Sequence, residues 1–259
     1  MTLLVETLAH GVRKLTLNAP EQYNTLSEGM LHALLGALAD ADADEAVRSV
    51  VIAANGKAFC AGHNLKDMMA HNSHAEHQHL FLLCSKLMQR VTALVVPVIA
   101  QVDGIATAAG CQLEAQCDLA VASTRAQFAV SGIRLGLFCA TPAVALSRNV
   151  GRKAALEMLL TGDFVDAHTA KQEGLVNRVV PPEMLDAATA ELCKTIAARP
   201  KSALASGKAL FYKQLEMGMP AAYQLASSTM ACDMMAEAAQ TGVGGFVSGV
   251  TSSSKVAKG

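Results

Sequence analysis

The chain carries little charge, and no surplus of either sign. Of 259 residues only 17% are charged, with 21 Lys and Arg against 22 Asp and Glu and a formal net charge of −1. That balance lacks the cationic field on which nucleic-acid binding draws, so no nucleic-acid partner is expected. Long hydrophobic runs are missing as well. The longest tempting stretch, Ala93–Ala100, has eight residues, far short of the ~20 needed to span a bilayer, and no membrane partner is expected. Met1–Glu6 shows no basic region leading into an apolar segment and a cleavage site, which argues against a signal peptide. The seven cysteines (60, 84, 111, 117, 139, 193 and 232) contain no Cys-x-x-Cys pair. An odd number so spaced excludes both a disulfide framework and a zinc ribbon. Buried thiols in a reducing compartment fit that pattern, and the expected location is cytoplasmic. The chain also lacks a Gly-x-Gly-x-x-Gly after its first strand, a phosphate loop ending in Gly-Lys-Ser/Thr, and a Gly-x-Ser-x-Gly nucleophile elbow.

Apolar residues, by contrast, make up 52%, and the mean hydropathy is +0.31. A chain of 27.0 kDa should bury about 70% of its unfolded surface, enough for one large domain with a smaller appendage. The apolar excess points to partner subunits. Leu3–Leu8 and Val12–Leu17 read as a hairpin turned at His10-Gly11. Ser27 suits the N-cap of an apolar-periodic helix reaching about Asp42. Ser49–Ala53, Val98–Val102 and Leu119–Ser123 are short apolar runs of the buried-strand type, and Ala126–Val130 reads as a short strand. A long helix over Ala75–Leu94 stops before Pro97. Thr141-Pro142 has the form of an N-cap with proline at the first helical position. Helices at 142–149, 152–160 and 166–173 and a strand at Val176–Val180 follow. Strand and helix thus alternate through residue 182, and residues 183–259 form a helical region. Its end, Gly242–Gly259, is Gly- and Ser-rich, lacks a hydrophobic period and is expected to be loose.

The histidines at 71, 74, 77 and 79 cluster locally, but His74-Ala-Glu-His77 misses the zincin spacing and no third ligand is evident. They read as a solvated helix start, and no metal is expected. Two small-residue turns are more telling. Gly56–Leu65 follows the strand at 49–53, and Asp103–Leu113 follows the strand at 98–102. Small residues let a ligand approach the backbone, and a helix starting near Ala109 would aim free N–H groups at it. Two such donors can hold a carbonyl oxygen as negative charge develops there. The same turns would also serve as close packing between strand and helix.

Several segments resemble the enoyl-CoA hydratase/isomerase (crotonase) superfamily: Asn18–Ser27, Gly56–Leu65, Pro97–Gly104, Cys117–Ser123, Leu160–Gly162 and Gly174–Pro181. The match is collinear from about residue 3 to residue 247. It implies an α/β fold built as a spiral of ββα units, with a helical C-terminal part that assembles homotrimers or hexamers. The implied ligand is an acyl-CoA thioester, bound as substrate with no other cofactor. Carried over by position, the backbone N–H groups of His63 and Ala109 would form the oxyanion hole. Ala61, His63, Asn64 and Leu65 would line the CoA path, Glu21, Gln22 and Tyr23 would touch CoA from the first loop, and Lys57 would neighbour a phosphate. Phe246 would pack over CoA in an adjacent subunit.

The chain departs from that pattern at both catalytic carboxylates. Where the hydratases read Gly-Gly-Gly-Cys-Glu, this chain reads Ala108-Ala-Gly-Cys-Gln112. At the second glutamate it has Gly132. Hydration needs one group to take a proton from water and another to deliver one to carbon. Gln112 can position a water but cannot accept its proton, and Gly132 has no side chain. Glu114 is no substitute, because two steps along a helix turn it about 200° from the Gln112 face. Thr107, Ser131, Cys139, Thr141 and the His63 ring remain as pocket candidates. The Ala-Ala-Gly-Cys-Gln run and Gly-Leu-Phe-Cys-x-Thr-Pro together resemble the mitochondrial enoyl-CoA hydratase domain-containing subgroup. The expected function is action on an acyl-CoA or enoyl-CoA thioester through enolate stabilisation, nominally that of an enoyl-CoA hydratase. A non-catalytic acyl-CoA-binding or regulatory homologue stands beside it, as does a structural partner in mixed trimers.

Overall fold

The structure, a computed structural model, describes residues 2–249. They fall into two compact units divided between Ala198 and Arg199. The first begins with β1 (Leu3–Leu8), β2 (Val12–Leu17), α1 (Glu28–Ala43), β3 (Ser49–Ala54), β4 (Ala58–Cys60), α2 (Leu65–Ala70) and α3 (His74–Ala93). It continues with β5 (Val98–Val102), β6 (Ile105–Thr107), α4 (Ala109–Gln116), β7 (Leu119–Ser123), β8 (Gln127–Ala129), α5 (Ala140–Asn149) and α6 (Arg152–Thr161). It closes with β9 (Val165–Asp166), α7 (Ala167–Gln172), β10 (Arg178–Val180) and α8 (Leu185–Ala197).

Ten strands form two sheets among the described residues. The larger has the order β1-β2-β3-β5-β7-β10, antiparallel only at the β1–β2 hairpin, and the smaller has the order β4-β6-β8-β9. Each turn of the chain lays one strand in the large sheet, one in the small sheet, and then a helix. β3-β4, β5-β6 and β7-β8 are the three repeats, so the fold is a spiral of ββα units. The continuous apolar character of β3 and β5 follows, because parallel strands here are covered on both faces. Val50, Ile52, Ala100 and Val102 face the main core, while Val51, Ala53 and Ile99 face a second cluster with Leu185 and Cys193 of α8. Each Val, Ile or Leu among them contributes about 1.5–3 kcal/mol on burial.

Local signals set the helix starts. Ser27 caps α1, its hydroxyl accepting from Met30 N at 3.3 Å. Ser73 caps α3 through Glu76 N at 3.2 Å. The helix expected from 142 differs: α5 begins at Ala140, with Cys139 at its cap, and Thr141 lies inside the first turn. The strand expected from Val176 begins at Arg178, since Val176 is held in the turn after α7 by its N–H to Ala170 O. The unit boundary lies at 198 rather than 182 because α8 covers the large sheet.

The second unit, taken by itself, holds α9 (Lys201–Leu215), α10 (Met219–Met234) and α11 (Glu237–Val247). Ser206 on α9 donates to Asp233 on α10 at 2.8 Å. No residue of these three helices is buried. The expectation of a loose segment from Gly242 is corrected here, because 242–247 is helical despite three glycines. Residues 250–259 of that expectation lie outside the described residues.

Candidate active site

Both small-residue turns contain a short strand, β4 in one and β6 in the other, and these pair in parallel in the small sheet. That pairing brings the two turns together. A Cβ on Gly62 would stand 2.9 Å from Ala108 Cβ and 3.1 Å from Ala109 N, so the turns touch at a point where only glycine fits. Gly62 also has φ +88°, in the left-handed region. Gly110 is equally confined, since its Cβ would fall 2.0 Å from Cys60 O. Ala108 takes φ +51° and ψ −122°, a strained conformation for a residue with a side chain, at the N-cap of α4. The N–H groups of His63 and Ala109 flank this contact. Neither donates a hydrogen bond to another described residue.

The first loop is stitched to the same place. Glu21 and Gln22 lie on a 3-10 turn (Pro20–Gln22) and Tyr23 follows with φ +52°, its side chain exposed. Tyr23 O accepts from Ala61 N at 3.0 Å, and Leu26 N donates to Gly62 O at 2.8 Å. The residue that organises the loop is one that sequence reasoning passed over. Asn24, fully buried, accepts from Ala19 N and donates to Asn55 O and Ala58 O, all at 2.8 Å. Its φ is +53°, a conformation that Asn tolerates better than most residues. Glu21, Gln22, Tyr23, Ala61, Gly62 and His63 are thus brought together. Asn64 caps α2, accepting from Lys66 N and Asp67 N. Leu65 and Lys57 are exposed. Phe246 lies on α11 in the second unit, with 78% of its surface exposed.

The His63 ring has one settled tautomer. Nδ1 lies 3.1 Å from Leu26 O, which can only accept, so Nδ1 carries the proton. Nε2 is then a lone pair, buried and without a partner. Burial lowers the pKa of this histidine below 6.5, partly offset by the Leu26 carbonyl. The ring packs at 5.6 Å against Phe81 of α3.

Gln112 is 3% exposed, with Oε1 buried and unpartnered. The space at Gly132 is already filled. A Cβ there would stand 2.6 Å from Leu137 O and 2.7 Å from Cys139 Sγ. The loop is closed over it by Leu137 N donating to Gly132 O at 3.0 Å. Burial raises the pKa of the Cys139 thiol, against a hydrogen bond with the Gly132 backbone. Ser131 Oγ and Thr107 Oγ1 meet at 3.0 Å, tying this loop to the residue preceding Ala108. Glu114 is wholly enclosed in the core, both carboxyl oxygens unpaired, and desolvation holds its pKa well above 4.5. Enclosure of this kind disfavours the charged form of the carboxyl group. Two main-chain N–H groups so placed can polarise a carbonyl, and neither Gln112 nor Gly132 brings a carboxylate to them.

Two clefts open near His63. One of about 330 Å³ is lined by Thr141 and by α3 residues including Phe81. The other, of about 410 Å³, lies between α1, α2 and α3 and carries Glu28, Asp67 and Glu76. The histidine cluster borders both, with His77 Nε2 on Asn72 Oδ1 at 3.0 Å and His79 on Glu28 at 3.4 Å.

A ββα spiral with two main-chain donors beside a loop-stitched turn is a distinctive architecture, and comparison with known proteins identifies it: the chain belongs to the enoyl-CoA hydratase/isomerase (crotonase) family, whose profile matches residues 7–250. Within it, the chain falls with the domain-containing subgroup. It is 44% identical over 238 residues to enoyl-CoA hydratase domain-containing protein 3, mitochondrial, of Xenopus laevis, covering 92% of this chain and 81% of that protein. Among solved structures, enoyl-CoA hydratase from Mycobacterium smegmatis superposes with a TM-score of 0.94 at 55% identity, over 96% of this chain and 97% of that one. Human enoyl-CoA hydratase domain-containing protein 3 gives 0.93 at 39%, over 97% and 99%. The cytoplasmic expectation is corrected by these relatives, whose curated members from frog, mouse and human are named mitochondrial. The cysteine pattern separates reducing from oxidising compartments and does not distinguish one reducing compartment from another.

Proposed function

We propose that this protein binds an acyl-CoA or enoyl-CoA thioester and polarises its carbonyl between the N–H groups of His63 and Ala109, stabilising enolate character without the usual hydration. The observation that carries this is the pair of unspent main-chain donors held against each other by the Gly62–Ala108 contact. In measured cases one such donor is worth about 3–4 kcal/mol to a developing oxyanion. Gln112 would position a water or the acyl chain, and Gly132 leaves the second catalytic position empty of a side chain. CoA itself would run along Ala61, Asn64 and Leu65, past Glu21, Gln22 and Tyr23, with Lys57 near a phosphate. Phe246 of a neighbouring subunit would complete the path in a homotrimer or a dimer of trimers. Isomerisation, decarboxylation or thioester cleavage needs only the donor pair and one further group, whereas hydration needs two proton carriers. The relatives' names supply a mitochondrial setting.

A second reading, a non-catalytic holder of acyl-CoA, is favoured by the loop closed over Gly132. One titration addresses both. A conjugated enoyl-CoA is added to the purified protein, and its absorbance is followed for a red shift, which reports carbonyl polarisation, and for loss, which reports hydration. A red shift without loss is expected. Loss at an enzymatic rate would refute the argument from the missing carboxylates, and failure to bind any CoA ester would refute the reading as a whole. Turnover of other acyl-CoA esters then separates enzyme from holder.

A further inference from the structure

We infer that the side chain of His63 is a positioning residue for the proposed site: its imidazole fixes the direction of its own main-chain N–H, the donor that would meet the thioester oxygen. The inference rests on the reading above and deepens it. An oxyanion donor works only where it points, and such geometry has to be held to within about 0.5 Å by supporting contacts. The turn does not hold that direction unaided, because the residue before His63 is Gly62, at φ +88°, the most permissive residue type.

The hold comes from two elements. Leu26 has its side chain fully buried and precedes Ser27, the cap of α1, so it is anchored in the core. It commits both main-chain groups to the turn: its N–H donates to Gly62 O at 2.8 Å, and its carbonyl accepts from His63 Nδ1 at 3.1 Å. Tyr23 O accepts from Ala61 N at 3.0 Å, so residues 61, 62 and 63 are each tied to the first loop, and at 63 the tie is a side chain. Phe81 of α3 lies against the imidazole at 5.6 Å, tilted by 59°, and restricts its rotation. Nε2 shows what the ring supplies. It is buried with no partner, and an atom so placed costs about 1–3 kcal/mol. An apolar side chain would escape that cost, so what the imidazole adds over one is the Nδ1–H donated to Leu26.

The test follows the absorbance of 2,4-hexadienoyl-CoA bound at saturation to the full-length protein, with calorimetric titration of hexanoyl-CoA, a saturated ester, as the measure of plain binding. Any residue but proline at 63 carries the main-chain N–H, so a substitution leaves the donor in place and changes only what aims it. His63→Leu is expected to bind hexanoyl-CoA within about threefold of wild type, while the red shift of the bound dienoyl ester falls by about half or more. His63→Asn, which brings an amide N–H to nearly the place of Nδ1, should keep most of the shift. Phe81→Leu, which leaves the ring bond but removes the ring packed on the imidazole, should reduce the shift, and this arm stands if His63→Leu does not fold. An undiminished shift in His63→Leu or in Phe81→Leu overturns the inference and leaves the proposed function standing. So does a shift lost equally in His63→Leu and His63→Asn, or hexanoyl-CoA affinity lost in step with the shift. Wild type that binds the dienoyl ester without a red shift overturns both.

Discussion

Replacing Gly132 by alanine adds one methyl group, and the structure says where it must go. The new Cβ would lie 2.6 Å from Leu137 O and 2.7 Å from Cys139 Sγ, each well inside the 3.4 Å of ordinary contact. The thiol could swing away, but the carbonyl belongs to a backbone whose N–H is tied to Gly132 O at 3.0 Å. The loop has to open that bond or absorb the strain, and overpacking of this kind costs about 1–3 kcal/mol. For a unit of this size the melting temperature should drop by roughly 2–12 °C. The measurement is thermal and urea denaturation of wild type and Gly132→Ala at one fixed protein concentration, since self-association would shift both. Gly132→Glu must suffer the same clash before its carboxylate can reach any substrate. The paired Gln112→Glu/Gly132→Glu variant is therefore expected not to hydrate crotonyl-CoA. Gly132→Ala within about 0.5 kcal/mol of wild type, or a double variant that hydrates, would show that the loop yields and that this reasoning is wrong.

Three further outcomes are expected. Desolvation raises the pKa of Glu114 in the folded state above its ordinary 4.5, so stability should fall as pH climbs from that value toward the raised one, at up to ~1.4 kcal/mol per pH unit. Glu114→Gln should flatten that slope in urea titrations between pH 5 and 8, and an unchanged slope would assign the dependence to other groups. Burial lowers the pKa of His63 in the folded state from its ordinary 6.5, so its contribution is complete above that pH and declines as pH falls toward the lowered value. His63→Phe should remove that decline while leaving Leu26 O unpaired at a cost of about 1–3 kcal/mol, which denaturation at pH 7.5 and 5.5 would resolve. Gly62→Ala should destabilise by about 1–3 kcal/mol and abolish the red shift of bound enoyl-CoA by displacing Ala109 N. Adding Ala108→Gly removes the 2.9 Å contact and should restore part of both losses, and strict additivity of the two changes would argue against that coupling.

Much of the fold was legible because its strands are buried on both faces and announce themselves as apolar runs. Ser49–Ala53 and Val98–Val102 were visible for that reason, as was the helix after Ser27 with its cap. The three-residue strands β4 and β6 were not, since their identity comes from pairing with each other rather than from any local period. The start of α5 was misplaced because Thr141-Pro142 imitates a cap, while the true start follows the loop folded over Gly132. Helix α11 was hidden by glycines at 242, 244 and 245, each of which counts against a helix on propensity. At the candidate site, the backbone donors were foreseeable from small residues before a helix. The crowding at Gly132 was not, because it comes from Leu137 and Cys139 folding back. Nor could spacing disclose the raised pKa of Glu114, which follows from its enclosure.

Helices α9, α10 and α11 contain no buried residue, yet Phe211, Met219, Tyr223, Met230 and Phe246 are among the side chains they expose. Helices of this length are marginal in water on propensity alone, so a face of this kind draws its order from whatever covers it. Folding of this segment is then a question of dose. Where the covering surface is another copy of the chain, halving expression removes more than half of the ordered protein, because association falls with a power of concentration higher than one. A cell that makes too little would lose first the segment that carries Phe246, while the ββα spiral, with its own core, persists.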